Sequence, residues 1–253
     1  MKVTFLGTGT SQGIPVITCQ CRVCQSDDPR DRRLRTSALV EINGKTIVID
    51  SGPDFRQQML RAEVRDLSAI LLTHEHKDHI AGMDDVRAFN FILGKPMDIY
   101  AEKRVMEAVK REYAYVFAEH KYPGIPQMIL HPIDESPFEI DGINIIPIRV
   151  YHHKLPVFGF RIENCIYITD ANYIPEEEIE KIAGSRCLVI NALRKKRHPT
   201  HYNLDEALKV IKDVSPDRAY IIHISHQMGL HTEIEKELPA NITLAYDTLS
   251  FEC

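Results

Sequence analysis

The chain has 253 residues, 44% of them apolar and 26% charged, which excludes disordered, collagen-like and coiled-coil proteins and suits one domain over residues 1–253. The net charge of −5, from 31 basic and 36 acidic residues, argues against a long nucleic-acid partner, because duplex binding needs a large basic surface. No apolar run reaches the roughly 18 residues of a membrane span, and the N-terminal residues turn to Gly and Thr too early for a signal peptide, so we expect a cytoplasmic protein without a membrane partner.

The first half of the chain is predicted to combine strands with one long loop. Val3–Leu6 is expected to be a strand, and residues 11–36, rich in Cys, Pro, Asp and Arg, an irregular loop. Asn43-Gly44 predicts a hairpin between Ser37–Ile42 and Lys45–Asp50. Apolar spacing then predicts one strand and two helices: Ala69–Thr73, Ile80–Phe89 and Glu102–Phe117.

The second half alternates strand pairs with isolated helices. The predicted strands are Ile143–Val150, Val157–Glu163, Cys165–Thr169, Cys187–Asn191 and Ala219–Ile224. The predicted helices begin at Pro175 or span Asn203–Lys212 and Thr232–Leu238. Because strand pairs recur between helices, we expect an α/β protein with two sheets packed together and helices outside.

A cluster of metal-ligand residues follows the predicted strand at Ala69–Thr73. Two histidines, His74 and His76, are followed at once by Asp78 and His79. Imidazole and carboxylate groups are standard ligands of Zn, Mn and Fe. A tight turn at a strand end can direct the first two residues to one ion and the last two to a second. The alternative, a solvated polar turn, gains nothing from this spacing.

This His-x-His-x-Asp-His motif resembles that of the metallo-β-lactamase superfamily. The resemblance spans nearly the whole chain, since His152, Asp170 and His223 follow in the family's order, each at the end of an apolar run. It implies an αβ/βα four-layer sandwich, with two mixed sheets packed face to face and helices outside.

The resemblance also implies a ligand set. His74, His76 and His152 would hold one metal, with His153 as the alternative to His152. Asp78, His79 and His223 would hold the other metal, and Asp170 would bridge the two. Asp50 matches a family aspartate that supports the ligands from behind.

Two divalent ions (Zn or Mn) about 3.5–4 Å apart can share a hydroxide and direct it at a substrate. Asp78, Asp170 and that hydroxide leave one positive charge uncancelled, which favours a small anionic substrate such as a phosphodiester. The leaving group also needs a proton or a positive neighbour. We expect His201, on the basic loop 194–201, to act as general acid or oxyanion donor, with His198 as second candidate.

Three of the six cysteines are clustered as Cys19, Cys21 and Cys24. Three thiolates can bind a zinc ion that needs one more ligand, and His226 is the best candidate. Such a closed site would be structural and would fix loop 11–36 beside the active site. The alternative is a set of free thiols. The scattered cysteines are expected to be core residues (Cys165, Cys187) or a bystander (Cys253).

Several features together narrow the resemblance to the PhnP-type branch: the Gly7–Pro15 segment, the Cys cluster, and His223 to Gln227. The branch implies phosphodiesterase activity on phosphoribosyl 1,2-cyclic phosphate and a zinc held by three Cys and one His. The related tRNA 3′-processing endonucleases share the motifs, but their tRNA-binding arm is not evident here. Residues 90–128 match least and are expected to cap the site or to form a subunit contact, as in a homodimer.

Three hypotheses follow. The first is a dinuclear metal phosphodiesterase, in which a metal-bridging hydroxide attacks the phosphorus and His201 assists the leaving group. The second is a tRNA 3′-processing endoribonuclease with the same chemistry. The third is a non-enzymatic zinc-binding or redox-sensing protein built around Cys19, Cys21 and Cys24.

Overall fold

A computed structural model describes residues 1–120 and 122–253, which form fourteen strands and seven α-helices. The strands are β1 Lys2–Gly7, β2 Ser37–Ile42, β3 Lys45–Ile49, β4 Ala69–Leu71, β5 Met97–Glu102, β6 Met128–Ile133, β7 Phe138–Ile140, β8 Ile143–His152, β9 Leu155–Ile162, β10 Cys165–Tyr167, β11 Cys187–Asn191, β12 Arg218–Ile222, β13 Ile242–Leu244 and β14 Ser250–Glu252. The helices are α1 Phe55–Arg61, α2 Lys77–Ile80, α3 Arg87–Leu93, α4 Lys103–Glu112, α5 Glu176–Ile182, α6 Leu204–Val214 and α7 His231–Ile234. Short 3-10 helices span Pro29–Asp31, Met83–Val86 and Glu235–Glu237.

The strands form two seven-stranded sheets with similar organisation. The first has the order β14-β1-β2-β3-β4-β5-β6 and the second β13-β12-β11-β10-β9-β8-β7. In the first sheet β3 to β6 run parallel, and in the second β10 to β13 do. The other pairs are antiparallel. Both sheets are therefore mixed, as predicted.

Three apolar layers hold the four layers of secondary structure together. Side chains from both sheets, such as Phe5 and Phe158, form the layer between them. A second layer packs α1, α3 and α4 on the first sheet, and a third packs α5 and α6 on the second. This arrangement confirms the predicted αβ/βα sandwich.

Most predicted strands are present within a few residues. The hairpin forms because Asn43 and Gly44 both take positive φ, 50° and 73°, which matches the twist of the paired strands β2 and β3. Asn203 caps α6, accepting a hydrogen bond from the Glu206 amide at 2.8 Å. Residues 11–36 contain no strand, as expected of a loop.

The predicted helix Ile80–Phe89 is wrong. The chain instead forms α2, a turn at Gly82, the 3-10 segment and then α3. The Gly82 amide donates to the Ser51 carbonyl at 2.8 Å, and a Cβ on Gly82 would lie 2.0 Å from the Gly52 carbonyl oxygen. This close backbone contact across the fold interrupts the helix, and apolar spacing alone does not encode it.

Much of residues 90–128 belongs to the first sheet and its helical layer. The predicted helix Glu102–Phe117 ends earlier, as α4, and the Tyr113 hydroxyl donates to the Ile80 carbonyl at 2.7 Å. Position 121 of this segment lies outside the described residues. The expected subunit contact stays a prediction.

The longest helix in the described ranges is α6, with eleven residues. A helix of that length does not cross the roughly 30 Å hydrocarbon core of a bilayer. Residues 1–120 and 122–253 thus contain no helix that could span a membrane.

Candidate metal centres

The His-x-His-x-Asp-His motif lies where β4 leaves the first sheet and α2 begins. Residues 72–76 form the connection, and His76 is the N-cap residue of α2. The Thr73 carbonyl accepts a hydrogen bond from the Phe158 amide of β9 at 3.1 Å, which ties the motif to the second sheet. His74 and His79 are fully buried. The motif therefore faces the junction of the two sheets.

One donor group consists of Asp78, His79, Asp170 and His223, whose ligand atoms lie within 4.8 Å of one another. His79 Nε2 is 3.2 Å from Asp78 Oδ2 and 3.4 Å from Asp170 Oδ1. His223 Nε2 is 3.2 Å from Asp170 Oδ1. Ligand atoms around a tetrahedral ion with bonds of about 2.1 Å stand about 3.4 Å apart. This group therefore has the spacing of a metal site.

A second group contains His74, His76 and the same Asp170. His74 Nε2 is 3.0 Å from His76 Nδ1 and 3.9 Å from Asp170 Oδ2. Since Asp170 turns Oδ1 to one group and Oδ2 to the other, its carboxylate lies between the two.

His152, rather than His153, points toward this second group. The His152 ring centroid is 5.3 Å from that of His76 and 6.1 Å from that of His74. Its Nδ1 bonds the Thr200 carbonyl at 2.7 Å, which leaves Nε2 free for another partner. His153 is exposed and has a positive φ of 58°.

The chemistry of the donors fits metal ions. In the described part of the chain, three buried imidazoles carry ring nitrogens without a hydrogen-bond partner: His79 Nε2, His201 Nδ1, and both nitrogens of His223. Buried polar atoms are rarely left unpaired, because each lost hydrogen bond costs about 1–3 kcal/mol. A bound cation would satisfy nitrogens of this kind.

The electrostatics also favour cations. Burial alone would raise the pKa of Asp170, but neighbouring His223 and His79 hold it well below its ordinary value. Burial opposes the charged form of His79, yet Asp78, Asp170 and Asp50 raise its pKa well above the usual range. The centre therefore favours the charged form of its carboxylates, which is the form that binds a cation.

Asp50 supports the centre from behind. Its carboxylate accepts from the Thr73 amide and hydroxyl, each at 2.8 Å, and lies 2.7 Å from His79 Nδ1. This contact directs His79 Nε2 toward Asp78 and Asp170. Asp50, Asp170 and His223 all have positive φ, between 54° and 63°. Such strained backbone in non-glycine residues clusters at functional sites.

His201 covers the centre from the loop that follows β11. Its ring lies 4.8 Å from that of His223 and 4.5 Å from that of His152, and its Nδ1 is 4.0 Å from Asp170 Oδ2. Burial lowers the pKa of His201 to about 3, so the imidazole is neutral near pH 7. His198, the other candidate, is less buried and its ring lies 5.3 Å from His201.

The cysteine cluster lies next to His226, as predicted. His226 Nδ1 is 3.3, 3.4 and 3.6 Å from the sulfur atoms of Cys19, Cys21 and Cys24. A tetrahedral zinc with three sulfurs and one nitrogen would set these separations near 3.6 Å. Burial opposes ionisation of Cys21, but the Cys24 amide and His226 lower its pKa to about 6. The four side chains thus form a compact donor set.

Two supporting residues were not predicted from the sequence. The Asn191 side chain makes two hydrogen bonds with Ala171, the residue after Asp170. It accepts one from the Ala171 amide at 2.8 Å and donates one to the Ala171 carbonyl at 2.9 Å. An asparagine ending the apolar run of β11 was the available signal. Arg104 of α4 pairs with Glu75, between the first two histidines of the motif, and no local pattern indicates that pair.

Comparison with known proteins agrees with this architecture. Residues 45–224 match the β-lactamase superfamily domain. A protein of Porphyromonas gingivalis (strain ATCC BAA-308 / W83) named octanoyltransferase is 40% identical over 252 residues, covering 98% of this chain and 51% of that protein. The chain thus spans about half the length of that relative.

Two further relatives cover more of their own length. Ribonuclease Z of Mycobacterium sp. (strain KMS) is 28% identical over 214 residues, which cover 77% of this chain and 70% of that protein. A solved structure described as a new diphosphatase from the PhnP family is 39% identical, with a TM-score of 0.93 over 100% of this chain and 97% of that one. The chain belongs to the metallo-β-lactamase superfamily and, within it, to the PhnP family, with ribonuclease Z among its relatives.

Proposed function

We propose that this protein is a dinuclear metal-dependent phosphodiesterase that cleaves a small, cyclic phosphodiester, with phosphoribosyl 1,2-cyclic phosphate as first candidate. The observation that carries the proposal is Asp170, whose two oxygens face two separate groups of histidine and aspartate donors. One carboxylate between two donor groups suits a pair of metal ions held close together. Because the donors range from His74 to His223, residues 1–253 are proposed to act as one hydrolase domain.

The residues that would hold the ions follow from the two groups. His74, His76 and His152 would hold one ion, Asp78, His79 and His223 the other, and Asp170 both. When bound, two divalent ions (Zn or Mn) supply positive charge at the phosphoryl oxygens and an activated water. Cys19, Cys21, Cys24 and His226 would hold a structural zinc.

His201 is proposed to donate a hydrogen bond to the leaving oxygen. Because its pKa is lowered to about 3, the neutral ring carries one N–H and does not store an extra proton at pH 7. We therefore favour the oxyanion-donor role over the general-acid role. A donor fixed in a buried site stabilises developing negative charge without reorganisation.

The loop that carries His201 has an excess of positive charge. The Arg194 guanidinium donates to the carbonyls of Lys196 and Arg197, each at 3.2 Å, and so keeps its charge. Lys195 is neutralised by Glu237 at 2.6 Å. The remaining charge supports a small anionic substrate. The chain as a whole carries a net charge of −5, which argues against a long nucleic acid as substrate.

A diphosphate is the second candidate substrate, because the 39% identical relative is described as a diphosphatase. Hydrolysis of a diphosphate displaces a phosphate oxygen at phosphorus, so the same residues would serve. Because ribonuclease Z is among the relatives, the test also includes an RNA substrate.

The test is hydrolysis by protein loaded with Zn²⁺ or Mn²⁺, assayed on bis(p-nitrophenyl) phosphate, phosphoribosyl 1,2-cyclic phosphate, a nucleoside diphosphate derivative and a precursor tRNA. We expect turnover of the cyclic ester, its abolition by His76→Ala and a loss of roughly 100-fold with His201→Ala. His153→Ala is the matched control, because His153 is exposed and belongs to none of the donor groups.

Other outcomes would overturn the proposal. Cleavage of precursor tRNA alone, with binding that weakens steeply as salt rises, would indicate an endoribonuclease. Metal analysis that finds one zinc per chain, lost in Cys21→Ser, with none at the histidine centre, would indicate the non-enzymatic protein. Turnover of a thioester but of no phosphate ester would exclude phosphodiester chemistry.

A further inference from the structure

The three cysteines outside the zinc cluster converge at one edge of the sandwich. Cys165 and Cys187 begin the neighbouring parallel strands β10 and β11 and are register partners. Both are buried, and both belong to the apolar layer between the sheets. Cys253 follows β14 of the opposite sheet and packs on the same layer. Core packing alone does not require three thiols to meet where the two sheets face each other.

The three thiols have unequal environments. Cys165 and Cys187 are buried, whereas Cys253 is only partly buried and packs on the same layer as both. The neighbouring Cys165 thiol is the main cause that lowers the pKa of Cys253 to about 6, whereas burial raises the pKa of Cys187 to about 12. Arg218 Nη2 lies 3.9 Å from Cys187 Sγ and also donates to the Glu252 carbonyl, beside Cys253. One accessible thiolate therefore lies against two protonated thiols and a guanidinium.

We infer that Cys253 is a peroxide-reactive thiol that forms a reversible disulfide with Cys165. Low-pKa, accessible thiols with a neighbouring second thiol are the ones that peroxides oxidise selectively. Cys165 is chosen over Cys187 because Cys165 and Met1 line the same small cavity, and the Cys253 amide donates to the Met1 carbonyl at 2.9 Å. Cys187 instead contacts Arg218.

The chemistry balances with hydrogen peroxide as the oxidant. The Cys253 sulfur attacks one peroxide oxygen, the O–O bond breaks, and the departing hydroxide takes a proton to become water. The Cys165 sulfur then attacks the resulting sulfenic acid, the S–S bond forms, and the hydroxyl leaves with the Cys165 proton as a second water. Two thiols are oxidised by two electrons, and one peroxide is reduced to two waters.

This site is separate from the metal centre. Cys165 and Cys187 stand at the start of β10 and β11, whereas Asp170 and His223 follow the ends of β10 and β12. A disulfide here would join β14 of one sheet to β10 of the other. We therefore expect oxidation to raise the midpoint of thermal unfolding by about 5 °C or more. The metal content should stay the same.

The experiment treats the full, zinc-loaded chain with one equivalent of hydrogen peroxide, alkylates the remaining thiols and maps the peptides by mass spectrometry. We expect a Cys253–Cys165 cross-linked peptide that disappears with dithiothreitol. Cys253→Ser should abolish it and Cys187→Ser should keep it. In Cys165→Ser, dimedone should trap the sulfenic acid on Cys253.

Two results would overturn the inference. One is equal alkylation of Cys253 before and after peroxide, with no cross-link. The other is a Cys253–Cys187 peptide, which would overturn the choice of partner. Neither depends on hydrolase activity, so this test is independent of the proposed function.

Discussion

At the scale of single residues, Asp50 supports the candidate metal centre through its contacts with Thr73 and His79. Its carboxylate is fully buried and is the acceptor that orients His79 through Nδ1 at 2.7 Å. Burial raises the pKa of Asp50 against the opposing effect of His79. The cost of burying this charge is offset only while its partners stay in place.

We predict that Asp50→Asn lowers metal affinity at the His79 group by about 10–100-fold, with activity falling in parallel. Asparagine keeps the shape and tolerates the left-handed φ of 63°, but its amide cannot replace the negative charge that holds His79. Competition titration with a metal indicator measures the affinity. Asp213→Asn, on the exposed face of α6, serves as control. Unchanged affinity in Asp50→Asn would show that His79 is held without it.

The residue scale also shows what a sequence can predict. The spacing of the donors from His74 to His79 predicts a metal site, because all of them lie within six positions on one turn. The choice between His152 and His153 depends on which ring faces the interior, and the backbone turns between them, with φ of 58° at His153. The low pKa of His201 arises from burial under neighbouring loops, which the local sequence does not record.

At the scale of elements, α4 is tied directly to the metal motif. Arg104 forms an ion pair with Glu75, donates to the Pro156 carbonyl at 2.6 Å and approaches Glu102 at 3.4 Å. It thus joins the motif turn to β9 of the opposite sheet. One oxygen of Glu75 is buried without another partner in the described part of the chain.

Replacing Arg104 with Met should destabilise the fold by about 1–3 kcal/mol, because Glu75 would keep a half-buried charge without its partner. Activity should fall about tenfold as the turn between His74 and His76 loosens. Urea unfolding measures the loss of stability, and hydrolysis of bis(p-nitrophenyl) phosphate measures the loss of activity. Arg111→Met, on the exposed side of the same helix, should change neither. An Arg104→Met protein with unaltered stability would show that the pair is dispensable.

Elements differ in how far the sequence predicts them. The β2–β3 hairpin was predictable because its signal, Asn43-Gly44, acts within four residues. The break in the helix at Gly82 was not, because it depends on contact with Gly52, thirty positions earlier in the chain. A structure that depends on neighbouring residues can be predicted from the local sequence. A structure that depends on contact with a distant part of the backbone cannot.

At the scale of the whole molecule, the long loop 11–36 connects both sheets. Arg33 of this loop is buried, with Nη1 at 2.9 Å from Thr8 Oγ1 and Nη2 at 3.1 Å from His231 Nδ1.

The order of the strands in the two sheets could not be derived from local spacing in the sequence. Lys2 pairs with Glu252, at the other end of the sequence, so family resemblance was the only guide to the sheets.

The cysteine cluster and the metal centre are coupled through one short segment. His226 lies three residues after His223, and between them the Ile224 amide donates to the Thr8 carbonyl at 2.9 Å. The Thr10 amide in turn donates to the Ile224 carbonyl at 3.1 Å. A zinc held by His226 and loop 11–36 would therefore restrain the backbone that carries His223.

Cys21→Ser should accordingly remove one zinc per chain, lower the unfolding midpoint by about 5 °C or more, and weaken metal binding at the His223 group. Elemental analysis counts the zinc, and calorimetry gives the midpoint. Gln20→Ser, one exposed position away, should retain the full metal content and the wild-type midpoint. If Cys21→Ser lost its zinc while the affinity at the His223 group stayed unchanged, the two sites would be independent. Hydrogen bonds of Thr8 and Thr10 to Ile224 would then suffice to hold His223.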